Sequence, residues 1–324
     1  MFVSIGEILI DMLSIQQDVS IDKTDSFIKS AGGAPANVAT GLAKLGAKSV
    51  FIGCVGDDPF GDFLINTMKS QNVDISYIKT DKSARTTLAF AAKKSDGTKD
   101  IVFYRNPGAD TKLTPDDIPV DIIKTAVALH YGSISLSEEP MASATLLALK
   151  TARSNGVFIS CDPNYRPHIW KSKDYARKRI AECIGYADLV KISDEEREFV
   201  TGEANIEKGA RKLSDRGVKL VIVTLGEKGC YFDNGRVTGY VDGFDVKVKD
   251  TLGAGDGFIS ALLFALQSRG LIERIDDAGI DDLKSALVFA NAAGAIATRK
   301  NGAIPALPSL SDIQKFLNNR GLQC

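Results

Sequence analysis

The residues best suited to chemistry lie in one run, Asp250-Thr251-Leu252-Gly253-Ala254-Gly255-Asp256-Gly257, followed by FISALLFALQS. Apolar residues at 258, 259, 262, 263 and 266 recur at helical spacing, so the glycines stand at a helix start. Small residues there let backbone N–H groups approach a ligand, and free amides together with the helix dipole favour negative charge. Asp256, in that first turn, is poised to take a proton from a hydroxyl attacking a phosphorus held over Gly253, Ala254 and Gly255. Taken alone, the run also admits a plainer account, an acidic first turn that stabilises the helix with glycines present for packing.

A second stretch, Ala31-Gly32-Gly33-Ala34-Pro35-Ala36-Asn37, runs into VATGLAKLG, a helix with Gly46 at its C-terminal cap. Paired glycines let the backbone close on a small polar molecule, and Asn37 offers donors and acceptors that suit hydroxyls; a tight turn with a helix cap is the alternative. A third cluster, Asp162-Pro163-Asn164-Tyr165-Arg166, directly follows the apolar strand VFISC. Residues just past the carboxyl end of a parallel strand line the ligand crevice of open α/β sheets. Asp162 and Asn164 suit a polyol and Arg166 a phosphate, while a proline-bounded loop with an internal salt bridge would explain the same residues.

Such side chains need a scaffold. From about residue 120 onward, short β-branched runs alternate with helical patterns: AVALHYG at 126–132, a helix through MASATLLALKTARSNG, VFISCD at 157–162, then DLVKIS and KLVIVTLG at 219–226. That rhythm predicts a doubly wound, mainly parallel α/β sheet sandwiched by helices. MFVSIGEILIDML reads as the first strand. Residues 12–30 and 86–104 lack the intervening helices, and in the second of them two strand-like runs flank an SDGT turn. They predict a small β layer inserted into a single α/β body spanning 1–324 and able to serve as a lid.

The 324 residues are 44% hydrophobic and 25% charged, an ordinary globular composition. Lys and Arg number 40 against 41 Asp and Glu, so no global positive field draws the chain to nucleic acid or membrane, and an anionic ligand must be met by local groups. Five scattered cysteines without a CxxC pair, no basic leader and no run of about 18 apolar residues predict a reducing, cytoplasmic setting. The absence of G-x-x-x-x-G-K-S/T excludes a P-loop NTPase by motif. No G-x-G-x-x-G opens a helix after the first strand, and His130 and His168 are the only histidines, which counts against a Rossmann dehydrogenase and a histidine-based hydrolase.

GGAPAN near residue 33 and DTLGAGD near 253, in that order and separation across nearly the whole chain, resemble the ribokinase-like (PfkB) carbohydrate kinases, and most closely their fructokinase branch. The resemblance implies ATP-dependent transfer of the γ-phosphoryl group to fructose, giving fructose 6-phosphate, with Mg2+ as cofactor and a homodimer formed through the β lid. It implies Asp256 as the base and Gly253, Ala254 and Gly255 as anion-hole amides, the roles already reached from residue types. Asp11, Gly32, Gly33 and Asn37 are similar to residues that hold the sugar hydroxyls. Arg105 in FYRNPGAD and Arg166 in DPNYR resemble arginines at the sugar and phosphate end of the site, beside Asp162 and Asn164. On the nucleotide side, Thr224, Gly226 and Gly229 in TLGEKG match a segment beside the ATP phosphates and ribose, and Asn291 a position beside the adenine, with Lys191 and Ser193 nearby. TLGEKG on its own reads as a β-hairpin turn. Glu196 matches the glutamate that organises Mg2+ and its waters, with Ser193 where the family has asparagine. Asp250, Leu252, Ala297, Lys300 and Gly302 match a monovalent-cation (K+) loop in which Ala306 replaces the serine ligand of ribokinases. Kinases for ribose, 2-keto-3-deoxygluconate or a nucleoside share both motifs, and a catalytically silent sugar- or nucleotide-binding regulator is the competing class.

Overall fold

The computed structural model describes residues 1–93 and 99–322, so the SDGT turn expected at 95–98 and Cys324 lie outside the described residues. The large sheet has β1 (Phe2–Ile5) at its heart. On one side lie β4 (Ser49–Gly56) and β5 (Asp74–Asp81). On the other lie β8 (Ala128–Gly132), β9 (Phe158–Asp162), β10 (Leu189–Ser193) and β11 (Leu220–Thr224). All of these pair in parallel, and β12 (Cys230–Asp233) and β13 (Thr238–Val241) extend the edge antiparallel. Runs such as Leu220–Thr224, LVIVT, are apolar almost throughout because both faces of the sheet are covered.

One face carries α1 (Ala34–Lys44), α8 (Ala254–Ser268), α9 (Ile280–Ala297) and α10 (Leu310–Asn318), sharing a core with Phe2, Ala128, Phe158, Leu189 and Ile222. The other carries α4 (Met141–Ser154), α5 (Lys173–Ile184), α6 (Asp194–Thr201) and α7 (Ile206–Ser214), packed on Val3, Leu129, Ile159, Val190 and Val221. The short α3 (Val120–Lys124) joins this second layer, and α2 (Pro59–Ser70) packs Leu64 and Met68 under the base of the second sheet. The chain winds from β1 toward β5, then restarts at β8 on the opposite side of β1. The resulting switch point, between the carboxyl ends of β1 and β8, is where doubly wound sheets open a ligand crevice.

The second sheet has the order β3 (Phe27–Gly32), β2 (Leu9–Ser14), β6 (Leu88–Lys93), β7 (Lys99–Tyr104). β2 begins before and β3 ends after the expected 12–30, while β6 and β7 lie within the expected 86–104. The opening run MFVSIGEILIDML is accordingly two strands in two sheets rather than one. The break falls at Gly6, whose φ of +154° suits glycine and whose hydrogen faces Pro35, where a Cβ would lie 2.5 Å from the proline ring. Asp11 therefore belongs to the small sheet and not to the end of the first strand of the large one.

Candidate active site

Helix α8 begins at Gly253, a left-handed N-cap residue (φ +78°) with no side chain to cap the helix. A Cβ there would come within 2.9 Å of Ala303. The first intrahelical bond runs from Gly257 N–H to Gly253 O at 2.8 Å, which leaves the N–H groups of Gly255 and Asp256 ahead of the helical ladder. Gly255 abuts the Lys191 ammonium, which a Cβ would approach to 2.9 Å. A concentration of donors and positive charge thus surrounds the start of the helix.

Asp256 is 7% exposed and accepts a hydrogen bond from Asn37 Nδ2 at 2.8 Å, a link across 219 positions that joins the two glycine motifs. Burial raises its pKa to about 6; the Asn37 bond opposes that rise, Asp162 adds to it, and Lys191 and Arg166 oppose it. Lys191, on β10, is bonded to Asp162 at the end of β9 at 2.8 Å, with both side chains buried. Burial works against its charge, but Asp162, Glu196 and Asp256 hold its pKa above the usual ammonium value. Asp162 Oδ1 is buried without a hydrogen-bond partner. Arg166 is half-buried, close enough to Asp256 to act on its charge, and donates to Tyr165 O at 3.3 Å. Asn164 holds a left-handed φ of +45° that turns the loop after Pro163.

The motif at residue 33 sits over the switch point. Pro35, in the first turn of α1 where a missing N–H costs nothing, packs on Gly6 at the end of β1 and on Gly132 at the end of β8. Gly33 has φ +103°, and a Cβ there would lie 2.9 Å from Ile8 Cα. On Gly32 a Cβ would overlap the Asp11 carboxylate, so Asp11, Gly32, Gly33 and Asn37 share one neighbourhood.

Arg105 has its own internal partners. Its Nε and Nη2 hold Asp110 at 2.8 and 2.7 Å and its Nη1 donates to Ser137 at 2.8 Å, so the guanidinium serves an internal ion pair at the foot of the small sheet. Ser193 is likewise committed: its Oγ caps α6, receiving Glu196 N–H at 3.3 Å and donating to Glu196 Oε2 at 2.9 Å, a capping box. The remaining Glu196 oxygen accepts Tyr165 N–H.

On the far side, Thr224 ends β11 and donates to Ile192 O at 3.4 Å. Gly226 (φ +62°) and Gly229 (φ +92°) turn the chain into β12, so TLGEKG is in fact a hairpin connection. A Cβ on Gly229 would collide with the backbone of 241–243, the same segment that Asn291 holds by donating to Val241 O at 3.3 Å and Asp242 O at 3.1 Å. A cavity of about 310 Å³ lined by Val241, Phe244, Lys284 and Val288 lies alongside. Asp250 accepts N–H groups from Leu252 (3.2 Å) and Gly302 (3.1 Å), which draws Leu252 to the segment that runs from Ala297, at the end of α9, through Lys300 and Gly302. His130 is buried against Ser160 at 3.1 Å, and burial lowers its pKa to about 3, which keeps the ring neutral.

The profile of the pfkB family of carbohydrate kinases matches residues 1–310. The protein belongs to this family. Probable fructokinase-5 of Arabidopsis thaliana is 45% identical over 321 residues, covering 99% of this chain and 98% of its own. The crystal structure of fructokinase with bound ATP from Xylella fastidiosa superposes with a TM-score of 0.89 at 30% identity over 99% of both chains. Fructokinase from Vibrio cholerae O395, in its fructose, ADP and calcium-bound form, gives 0.85 at 33% identity over 98% of both. The PfkB fold accounts for the large sheet and the small one, and the chain is a carbohydrate kinase.

Two residues that the sequence did not single out also matter. Glu7 is 2% exposed, and burial raises its pKa to about 7. Asp110 neutralises Arg105. Neither carries a local pattern: Glu7 is defined by Ala34, 27 positions on, and Asp110 by Arg105 and Thr87 in a buried turn. Among the described residues no cluster of three or more His, Cys, Asp or Glu could hold a metal, and no helix is long and apolar enough to cross a membrane.

Proposed function

We propose that this PfkB kinase is a fructokinase, transferring the γ-phosphoryl group of ATP to the 6-hydroxyl of fructose with Asp256 as the base. The observation that carries the proposal is the buried Asp256 carboxylate, oriented by Asn37 and set in the first turn of a helix whose leading amides face no helical partner. The hydroxyl oxygen forms its bond to the γ-phosphorus, the bond from that phosphorus to the β,γ-bridging oxygen breaks, ADP departs, and the hydroxyl proton passes to Asp256. A pKa of about 6 leaves Asp256 mostly ionised at neutral pH while making it a stronger base than an exposed aspartate. The Gly255 and Asp256 amides and the Lys191 ammonium are the groups available to hold the charge that develops on the transferred phosphoryl group, whereas the Ala254 N–H, also expected to serve there, donates to Thr251 O at 3.3 Å. Likeness to fructokinases along the full chain, one solved with fructose and ADP, supports fructose as the acceptor.

Bound Mg2+ supplies neutralisation of the phosphate charges. Glu196, through water, together with the unpartnered Oδ1 of Asp162 would hold it, and such a set fits an ion that takes one or two carboxylates and keeps waters and phosphate oxygens. K+ would be met by Asp250 and the carbonyls of Leu252, Ala297, Lys300 and Gly302, hard oxygen donors gathered by the Asp250 bonds. The small sheet would act as the lid that keeps water from competing with the sugar, and as the face through which two copies pair. Four buried free thiols, Cys54, Cys161, Cys183 and Cys230, suit a cytoplasmic setting.

The test is ADP release from the purified chain with ATP, Mg2+ and a panel of fructose, ribose, 2-keto-3-deoxygluconate and a nucleoside, followed by NMR assignment of the product. Fructose should be preferred and fructose 6-phosphate formed. Preference for another acceptor would move the substrate assignment, and silence with all four would remove the kinase activity.

A further inference from the structure

Glu7 has no part in the chemistry above, yet it sits where all four connections between the two sheets meet. It lies in the turn from β1 to β2. The exit from β3 passes at Gly33 and Ala34, the entry to β6 at Thr87, and the exit from β7 at Arg105, Gly108 and Asp110. Hydrogen bonds join them in two groups: Ala34 N–H donates to Glu7 Oε1 at 3.1 Å, while Thr87 Oγ1 donates to Asp110 and Arg105 holds Asp110 from the other side. A Cβ on Gly108 would strike both Thr87 Oγ1 and Asp110, which shows how tightly the last two connections are packed. Glu7 lies within electrostatic reach of Arg105 and Asp110.

The start of α1 explains what Glu7 does there. Its N-cap residue, Gly33, has no side chain to satisfy the leading amides of the helix. The Glu7 carboxyl supplies that cap from a different segment, its Oε1 accepting the Ala34 N–H at the positive end of the helix dipole. One turn further along, Asn37 reaches from the same helix to Asp256.

We propose, resting on the kinase reading above, that Glu7 is a positioning residue for phosphoryl transfer: by capping α1 from the point where the lid connections converge, it sets the helix that aims Asn37 at Asp256. Misplacing a reacting group by about 1 Å can cost up to ~10²-fold, so loss of this cap acts on turnover although Glu7 touches neither substrate.

The experiment is a double-mutant cycle on kcat with fructose and ATP, using Glu7→Ala, Asn37→Ala and the pair, with Glu7→Gln alongside. Glu7→Ala should lower kcat at least ~10-fold with the KM for ATP unchanged. Glu7→Gln keeps an acceptor oxygen for Ala34 N–H and should stay within about threefold of wild type, and the pair should be no slower than Asn37→Ala alone. Effects that multiply in the pair, an unimpaired Glu7→Ala, or a Glu7→Gln as slow as Glu7→Ala would each overturn the proposal. Should Glu7→Ala fail to fold by circular dichroism, Glu7→Asp, with its carboxylate drawn back by one methylene, takes its place in the cycle with the same expectations. A wild type that phosphorylates no sugar would instead sink the kinase reading itself.

Discussion

Asp256 is held between opposing influences, with burial raising its pKa to about 6 and the Asn37 bond restraining that rise. As the proposed base it works only when ionised, so kcat should be level above neutrality and fall as pH drops through about 6. Replacing Asn37 by Ala removes a bond that lowers the pKa, and the acidic limb of the pH–kcat profile should move to higher pH. A limb that stays in place in this variant would show that Asn37 does not govern Asp256. At this scale the sequence was legible where chemistry and local pattern coincide. DTLGAGD announces a helix start because glycine spacing and the apolar period after it are both local. The ion pair of Arg105 with Asp110 was not legible, because sequence shows a charge without showing which partner claims it, even one only five positions away. Ser193 and Glu196 fit the S-x-x-E pattern of a capping box, a local signal that the sequence carries and the structure forms.

Among the elements, α1 and the small sheet show where the sequence stops being sufficient. The parallel strands from β8 to β11 were legible as apolar runs separated by helical periods. The split of the opening run into β1 and β2 was not, because apolar residues continue through Gly6 and only the packing of Pro35 against that glycine reveals the turn. The small sheet presents Val102 and Tyr104, 42% and 66% exposed, on the face that also carries Phe90, whose ring meets Phe27 and Tyr104 edge-on. Exposed apolar and aromatic side chains grouped in this way fit burial against a second copy. Sedimentation should give about twice the 34.7 kDa chain mass, and Val102→Lys should shift it toward the monomer. A wild-type monomer would refute pairing through this face.

For the molecule as a whole, the winding of the large sheet places the switch point between β1 and β8, and the two glycine motifs reach it from opposite ends of the chain. Their meeting turns two ambiguous helix starts into one site: α1 brings Asn37, α8 brings Asp256 and its amides, and the ends of β9 and β10 bring Asp162 and Lys191. Order and spacing of the motifs foretold that meeting only through family likeness, since no local rule joins residues 219 positions apart. The most direct measurement of the central claim is turnover of Asp256→Asn with fructose and ATP, with nucleotide affinity measured in parallel. Loss of a general base predicts a fall in kcat of ~10²- to 10⁴-fold with ATP affinity near that of wild type. A variant that kept more than about a tenth of wild-type turnover, well short of the loss expected on removing a base, would contradict the assignment.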